Sequence, residues 1–448
     1  MHAFADLFCG FYDELDEDAA RRDWLGWERE DSWQSLRLAF RTDVESGNRT
    51  SRVVLRVDNG EDRQRLLLAA LRGVDEAFRH VNPTMKGRDR TPVGLIALEA
   101  HVAARGRLDS EANPGALIPR LARRDNPAGE IDHKRDLFTY VQRVPPESWA
   151  GCDVRVIGPS SALTARELSI GLNIACVPVI ADPRELEFDV RVSETRRYYR
   201  IRPRGLPVTR ERIGQIVAAL DRSEAVIAVA PELMLTPDLL ACWQQTLRAR
   251  RGSRLRWVLA GSGDLRSGQR PGNTAVLLDG RTGAPISHQH KLYPFDMSSA
   301  VLERWGLRAC LGDGPIAEDL VAEPRRLTIF DAGAARLAIL ICEDLNRPLD
   351  VGPLVRDFGI SHLLVPVFGR PVNEHRWEHT AAAIHMRETG TTVIVSNSLV
   401  IATLLDRGDS GTSLVLTPGS GSAVFGRSPD PAEPVCFRVL PGSAHVLR

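Results

Sequence analysis

Three reactive side chains stand at the ends of strands or hairpins. "VIAVAPE" ends in Glu232, "ISHQHK" ends in Lys291 and "LAILIC" ends in Cys342. A short apolar run bounded by turn residues reads as a buried strand. The residue that ends such a strand is delivered to the sheet edge, where loops build sites. A carboxylate, an ammonium and a thiol gathered there supply three roles. The carboxylate takes the thiol's proton, the thiolate attacks an electrophilic carbon, and the ammonium holds the oxyanion that develops. Each residue alone has a plainer reading: a core cysteine, a loop glutamate, a surface lysine. The three together, in series, point to chemistry.

Composition singles out the lysine. Of 58 basic residues only Lys86, Lys134 and Lys291 are lysine; all others are arginine. An ammonium is compact and can lose its proton when buried, and a guanidinium does neither. The 448 residues are enough for two domains, and 43% hydrophobic with 26% charged residues is ordinary for a globular protein. A formal net charge of zero argues against a nucleic-acid or anionic-membrane partner. No apolar run approaches the roughly 20 residues of a membrane span. The start, "MHAFADLFCGFYDELDEDAA", lacks the basic opening of a signal peptide. Seven scattered cysteines without CxxC spacing predict reduced thiols and a cytoplasmic protein.

The elements that must position the three residues follow from periodicity. Residues 1–150 read as a mainly helical domain of unassigned role. "DEDAARRDWLGWEREDSWQSLRLAF", "DRQRLLLAALRGVDEAFRH" and "TPVGLIALEAHVAARGRL" carry apolar residues at helical spacing. Trp24, Trp27 and Trp33 fall on that spacing and read as core. Residues 151–185 read as a connecting segment with short strands, "CDVRVIGPS" and "IACVPVIADP". From 186 to 448 strands alternate with helices and hairpins. A helix is expected over 208–223 with Thr209 as its cap, and a strand over 224–232. "GNTAVLLDGRTGAPISHQHK" and "RRLTIFDAGAARLAILIC" read as hairpins. The pattern is α/β, with stacked sheets covered by helices.

Placed on these elements, the motifs resemble those of the nitrilase superfamily of carbon–nitrogen hydrolases. "APE" resembles the family's glutamate motif, "HKLYP" its lysine motif and "LICEDL" its nucleophile motif. "HLLVPVFGRP", "HRWEHTAAAIHMRETG", "TTVIVSNS" and "GTSLVLTPGSG" resemble family segments in the same order. The resemblance implies a four-layer α-β-β-α sandwich over 186–448, commonly dimerised. It implies Glu232 as general base, Lys291 as oxyanion-stabilising cation, Cys342 as nucleophile, and the Glu343 amide as a second oxyanion donor. It further implies a second glutamate after the lysine. Glu303, in the setting "ERW", fits better than Asp296. Phe368 and Trp377 would line the substrate pocket. The segment "ACLGDGPIAEDLVAEPRR" makes the stretch from Lys291 to Cys342 long and reads as an insertion. The implied activity uses no metal or organic cofactor and acts on a small amide. Glutamine, N-carbamoyl and nitrile substrates stay open, as does a silent binding or regulatory protein on the same fold. "ICEDL" is also similar to the glutamine-hydrolysing domains of NAD synthetases, although no ATP-binding motif accompanies it.

A rival chemistry is written into "HRWEH", residues 375–379, an H-x-x-E-H zinc-peptidase pattern. It needs His375 and His379 on one helix face, Glu378 beside a metal-bound water, and a third ligand. Only Glu388 and Glu433 remain as downstream glutamates.

Overall fold

The computed structural model describes residues 2–46, 61–79, 115–121, 134–149, 151–158, 163–194, 196–250, 254–265, 272–320, 325–406, 411–420 and 422–447. It divides into two compact units, one of residues 1–157 with 357–359 and one of 158–356 with 360–448.

The first unit is mainly helical. Helices His2–Glu14, Glu17–Trp27, Asp31–Ser46 and Glu61–Ala77 are followed by two antiparallel strands, β1 (Ala116–Pro119) and β2 (Val141–Val144), and by β3 (Asp153–Ile157). Asp16 caps the second helix by accepting from Ala19 N at 2.8 Å. Trp27 and Trp33 are buried in a core with Phe8, Leu67, Leu71 and Phe138, and Trp24 packs half-buried against it. The tryptophans are therefore structural. The helix expected within 91–108 lies outside the described residues.

The second unit carries two large sheets. Its strands are β4 (Leu172–Cys176), β5 (Leu186–Val192), β6 (Arg197–Pro203), β7 (Ile227–Val229), β8 (Trp257–Gly263), β9 (Thr274–Asp279) and β10 (Pro285–His290). They continue with β11 (Ala317–Glu318), β12 (Arg326–Asp331), β13 (Arg336–Ile339), β14 (His362–Val367) and β15 (Thr392–Asn397). β16 (Gly411–Leu416), β17 (Val424–Arg427), β18 (Val435–Leu440) and β19 (Ser443–Val446) complete the set. One sheet runs β10-β9-β8-β7-β4-β18-β19; the other contains β17-β16-β15-β14-β13-β12. β5, β6 and β11 form a small third sheet.

The two large sheets face each other. Trp257 and Leu277 of the first meet Phe330, Leu337 and Leu364 of the second around a void of about 10 Å³. Every residue of β8, β14, β15 and β16 is buried, because helices cover the outer faces. Helices Pro207–Arg222 and Pro237–Arg248 place Ile213, Ile216, Leu220, Leu239 and Trp243 in one core with Ala228, Val258 and Val276. On the other side, helix Trp377–Thr389 buries Ala381, Ala382 and His385. The result is the α-β-β-α sandwich.

Three local expectations are corrected. Residues 151–185 do not form a connector. Leu172–Cys176 is a buried strand that pairs parallel with β7 and antiparallel with β18, so the sandwich draws on residues before 186. Thr209 is not a cap. Pro207 opens the helix, and the buried Thr209 hydroxyl donates to Glu185 Oε2 at 2.7 Å. The strand expected over 224–232 is only Ile227–Val229, because the chain leaves the sheet early to form the loop that carries Glu232.

That loop lies directly on β8. Ser262 N donates to Pro231 O and Leu235 N to Ser262 O, both at 3.1 Å. The approach requires glycine: a Cβ on Gly263 would stand 2.0 Å from Leu235 O, and one on Gly261, at φ +87°, would stand 2.4 Å from Pro231 O. Gly263→Ala is expected to destabilise the fold by about 1–3 kcal/mol in denaturant unfolding, as overpacking does. A change within a few tenths would show that the loop yields freely.

Candidate active site

Glu232 sits three residues past β7, buried, with its carboxylate held on both oxygens. Oε1 accepts from Lys291 Nζ and Asn273 Nδ2, each at 2.8 Å, and Oε2 accepts from Phe368 N at 3.1 Å. Leu233, the next residue, is at φ +60°. The chain turns sharply there and returns to β8.

Lys291 follows β10 and is equally buried. Its ammonium bridges two carboxylates, Glu232 Oε1 at 2.8 Å and Glu318 Oε2 at 2.7 Å. Asn273 Nδ2 also donates to Glu318 Oε1 at 3.1 Å, and Phe295 N donates to Glu318 Oε2 at 2.8 Å. The second glutamate beside the lysine is thus Glu318. Glu303 is exposed on the short helix Ser299–Arg304, and Asp296 pairs at the surface with Arg196. The register went astray because Glu318 lies inside the presumed insertion. It is delivered by β11, a two-residue strand that adds parallel to β6 and is too short to give a periodic signal. Asn273, in "GNTAV", carries no motif and was not foreseen.

Cys342 lies three residues past β13, buried, at φ +49°. A non-glycine residue in that region carries local strain, of about 1–2 kcal/mol, and turns its side chain out of line with the strand. The turn is locked by Asp344. Its Oδ2 accepts from Ile341 N at 2.9 Å, and its Oδ1 accepts from Leu292 N at 3.0 Å and Tyr293 N at 2.9 Å. One buried carboxylate therefore ties the turn bearing the thiol to the turn bearing the lysine. From the helix Trp377–Thr389, His385 Nε2 donates to Leu345 O at 3.1 Å, and burial holds the imidazole below its ordinary pKa. The Glu343 N–H donates to none of the described groups, while the Glu343 side chain accepts from Arg347 Nε at 2.8 Å.

The electrostatics follow from burial. Burial pushes the Cys342 thiol well up, and the neighbouring Glu232 charge pushes the same way. Burial also raises Glu232 against the pull of Lys291. Burial disfavours the Lys291 ammonium, but Glu232 and Glu318 outweigh it and hold the charged form well above its ordinary range. The proton between sulfur and carboxylate rests on sulfur, held there by burial and by the Glu232 charge beside it. The set can take up one proton at Glu232 and present a cation and an N–H to a new negative charge.

Of the two expected pocket residues, Phe368 reaches the site through its amide. Trp377 opens the helix Trp377–Thr389 half-buried, and its neighbour Glu378 is the fully buried member. The zinc pattern does not assemble. His375 is exposed at φ +70°, ahead of the helix, so it shares no helical face with His379. The His379 ring lies 5.7 Å from that of Phe425. Among the described residues no group of three His, Cys, Asp or Glu is arranged to hold a metal ion.

No protein-family model matches the sequence, and no curated protein matches it. Among solved structures the chain is similar to an amidase from Nesterenkonia sp. The TM-score is 0.39 at 15% identity, over 62% of this chain and 89% of the amidase. It is similar also to the glutamine-dependent NAD+ synthetase from Acinetobacter baumannii, with TM-score 0.39 and 12% identity over 62% of this chain and 48% of the synthetase. A nitrilase-superfamily member from Saccharomyces cerevisiae gives TM-score 0.36 at 13% identity, over 61% of this chain and 88% of its own. These are likenesses of fold. No helix among the described residues is long and apolar enough to cross a membrane.

Asp344→Ala would strip three buried N–H groups of their acceptor, each worth about 1–3 kcal/mol when left unpaired. Asp344→Asn keeps one carbonyl oxygen. Alanine is therefore expected to lower the unfolding free energy well beyond asparagine, by several kcal/mol in chemical denaturation. Equal losses in the two variants would mean that the turn is held by something else.

Proposed function

We propose that the chain is a thiol hydrolase of non-peptide carbon–nitrogen bonds, with a small amide as its substrate. The observation that carries this reading is one buried cluster. A thiol on a strained turn lies beside a buried carboxylate, and a lysine ammonium is shared between that carboxylate and a second one. The motif resemblance to the nitrilase superfamily supports it.

Glu232 takes the proton from Cys342 Sγ, and the thiolate attacks the amide carbon. The electron pair of the carbonyl moves to oxygen, where the Lys291 ammonium and the Glu343 N–H receive it. Glu232 returns the proton to the leaving nitrogen, ammonia departs, and a thioester remains on Cys342. Glu232 then deprotonates a water that attacks the thioester. Collapse of that second intermediate releases the acid and restores the thiol. Glu318 and Asn273 keep the lysine and the base in place.

The test is intact-mass spectrometry with a panel of small amides, glutamine, N-carbamoyl compounds and nitriles, with released ammonia assayed in the same tubes. The expected result is an acyl adduct and ammonia from the wild type, and neither from Cys342→Ala. Ammonia from Cys342→Ala at the wild-type rate would remove the thiol from the chemistry.

Lys291→Arg is expected to lose about 10²–10³ in kcat, because the planar fork does not fit a site built for a compact ammonium. Near-wild-type turnover would take the lysine out of the mechanism. The pH profile has a fixed sign. Glu232 must be ionised to act, and burial raises its pKa from the ordinary 4.5. Activity is therefore full at higher pH and lost as pH falls through a midpoint above 4.5. An acid limb of kcat/KM at or below 4.5 would contradict a buried base.

A further inference from the structure

The carboxylate of Glu378 belongs to no part of this mechanism, yet it lies against the same site. It is 1% exposed, and its Oε2 has no hydrogen-bond partner among the described residues. An acid in the first turn of a helix is ordinary at the surface, where water and the helix dipole stabilise it. The backbone amide of Glu378 itself lies beside the carboxylate, but an oxygen buried without a partner is unfavourable for folding. The position of the group suggests what offsets that cost. A Cβ built on Gly369 would stand 3.4 Å from Glu378 Oε1 and 3.8 Å from Trp305 Cη2. The carboxylate and the indole thus flank one bare stretch of backbone. That stretch follows Phe368, whose amide holds Glu232. Trp305 stacks on Phe295, with ring centroids 5.6 Å apart, and the Phe295 amide holds Glu318. An acid and an aromatic face therefore bound the wall of the site beside both catalytic carboxylates. Arg370 and Arg376 act on Glu378 through their charge.

We infer that Glu378 selects amides that carry an ammonium group, receiving that cation over Gly369 with Trp305 at its side. The inference rests on the hydrolase reading and names the substrate class within it. A buried anion with a free oxygen is matched by a compact cation, and an aromatic face adds attraction for the same charge. Without a ligand, burial pushes the Glu378 carboxyl up to about 7. A bound ammonium would favour the ionised form.

The test compares isosteric pairs: glycinamide with propionamide, β-alaninamide with butyramide, and 4-aminobutyramide with pentanamide. Binding is titrated by calorimetry to Cys342→Ala and to Cys342→Ala carrying Glu378→Gln, with thermal melting as the check on folding. In at least one pair the ammonium member is expected to bind about 10- to 100-fold more tightly, the scale of a hydrogen bond to a charged partner. Glu378→Gln should erase that preference and leave the methyl-terminated member unchanged. A residue with a merely structural role would weaken both members alike. Equal binding in every pair, no binding of either member, or a preference that survives Glu378→Gln would overturn the inference. The comparison within pairs on Cys342→Ala alone decides the matter if the Gln variant does not fold. Turnover by the wild type is read separately. Ammonium preference without turnover sinks the hydrolase reading and leaves the binding role of Glu378 standing; turnover without that preference does the reverse.

Discussion

The shared ammonium of Lys291 is the interaction on which the site depends. Two carboxylates approach it within 2.8 Å in a place that water scarcely reaches. Remove the cation and two like charges face each other in a medium of low dielectric. The two carboxylates could not then both stay ionised, and the arrangement that holds Glu232 would be lost with the lysine. In the proposed reaction protons pass between Glu232 and sulfur, the leaving nitrogen or water, so the net charge of the cluster is constant while its location shifts. Charge leaves the carboxylate and appears on sulfur and then on the carbonyl oxygen, which the same ammonium can serve. A buried site can support chemistry on these terms because no step adds charge to the interior.

The surroundings explain why the cluster keeps its shape. Glu232 is aimed by backbone that lies on β8 where two glycines allow contact. Cys342 is turned out of its strand by a positive φ, and Asp344 ties that turn to the lysine segment. Phe368 reaches over from β14 and donates its amide to the base. Four separate parts of the chain thus place one another through backbone groups. Backbone geometry tolerates little drift, which suits a reaction that depends on tenths of an ångström.

What could be read beforehand, and what could not, divides along the same line. Glu232, Lys291 and Cys342 were legible because each ends a strand or hairpin, and the alternation of strands and amphipathic helices gave the layered α/β fold. Glu318 was not legible, since a two-residue strand has no period and its neighbour β6 is remote in sequence. Leu172–Cys176 was taken for a linker because a five-residue apolar segment does not announce its partners. Asp344 is visible as an acid near Cys342, but its three N–H partners come from two turns that meet only in the fold. The scarcity of lysine proved informative. Besides Lys291, the other described lysine, Lys134, donates to two backbone oxygens, of Tyr12 and Leu15, at 2.9 and 3.0 Å, with the Tyr12 ring beneath it. Both positions use a compact ammonium with several donors, where a planar guanidinium would not reach the same acceptors.

This mutual placement bears on how variants should be understood. Glu232 is held by Lys291, Asn273 and Phe368, and Lys291 by Glu232 and Glu318. Residues that share partners do not contribute independently, so the losses from single changes at these positions will not add. A change at Asn273 removes a donor from both carboxylates at once, and its effect at either one depends on whether the other is intact. The same reasoning separates Glu378 from the cluster. It shares no hydrogen-bond partner with Glu232, Lys291, Glu318 or Cys342 among the described residues, and reaches the site only across Gly369 and Trp305. A residue so placed can alter which molecule is held without altering how the proton moves. That combination is what a specificity determinant requires, and it is why burial of an unpaired carboxylate is tolerable there but would be ruinous within the triad itself.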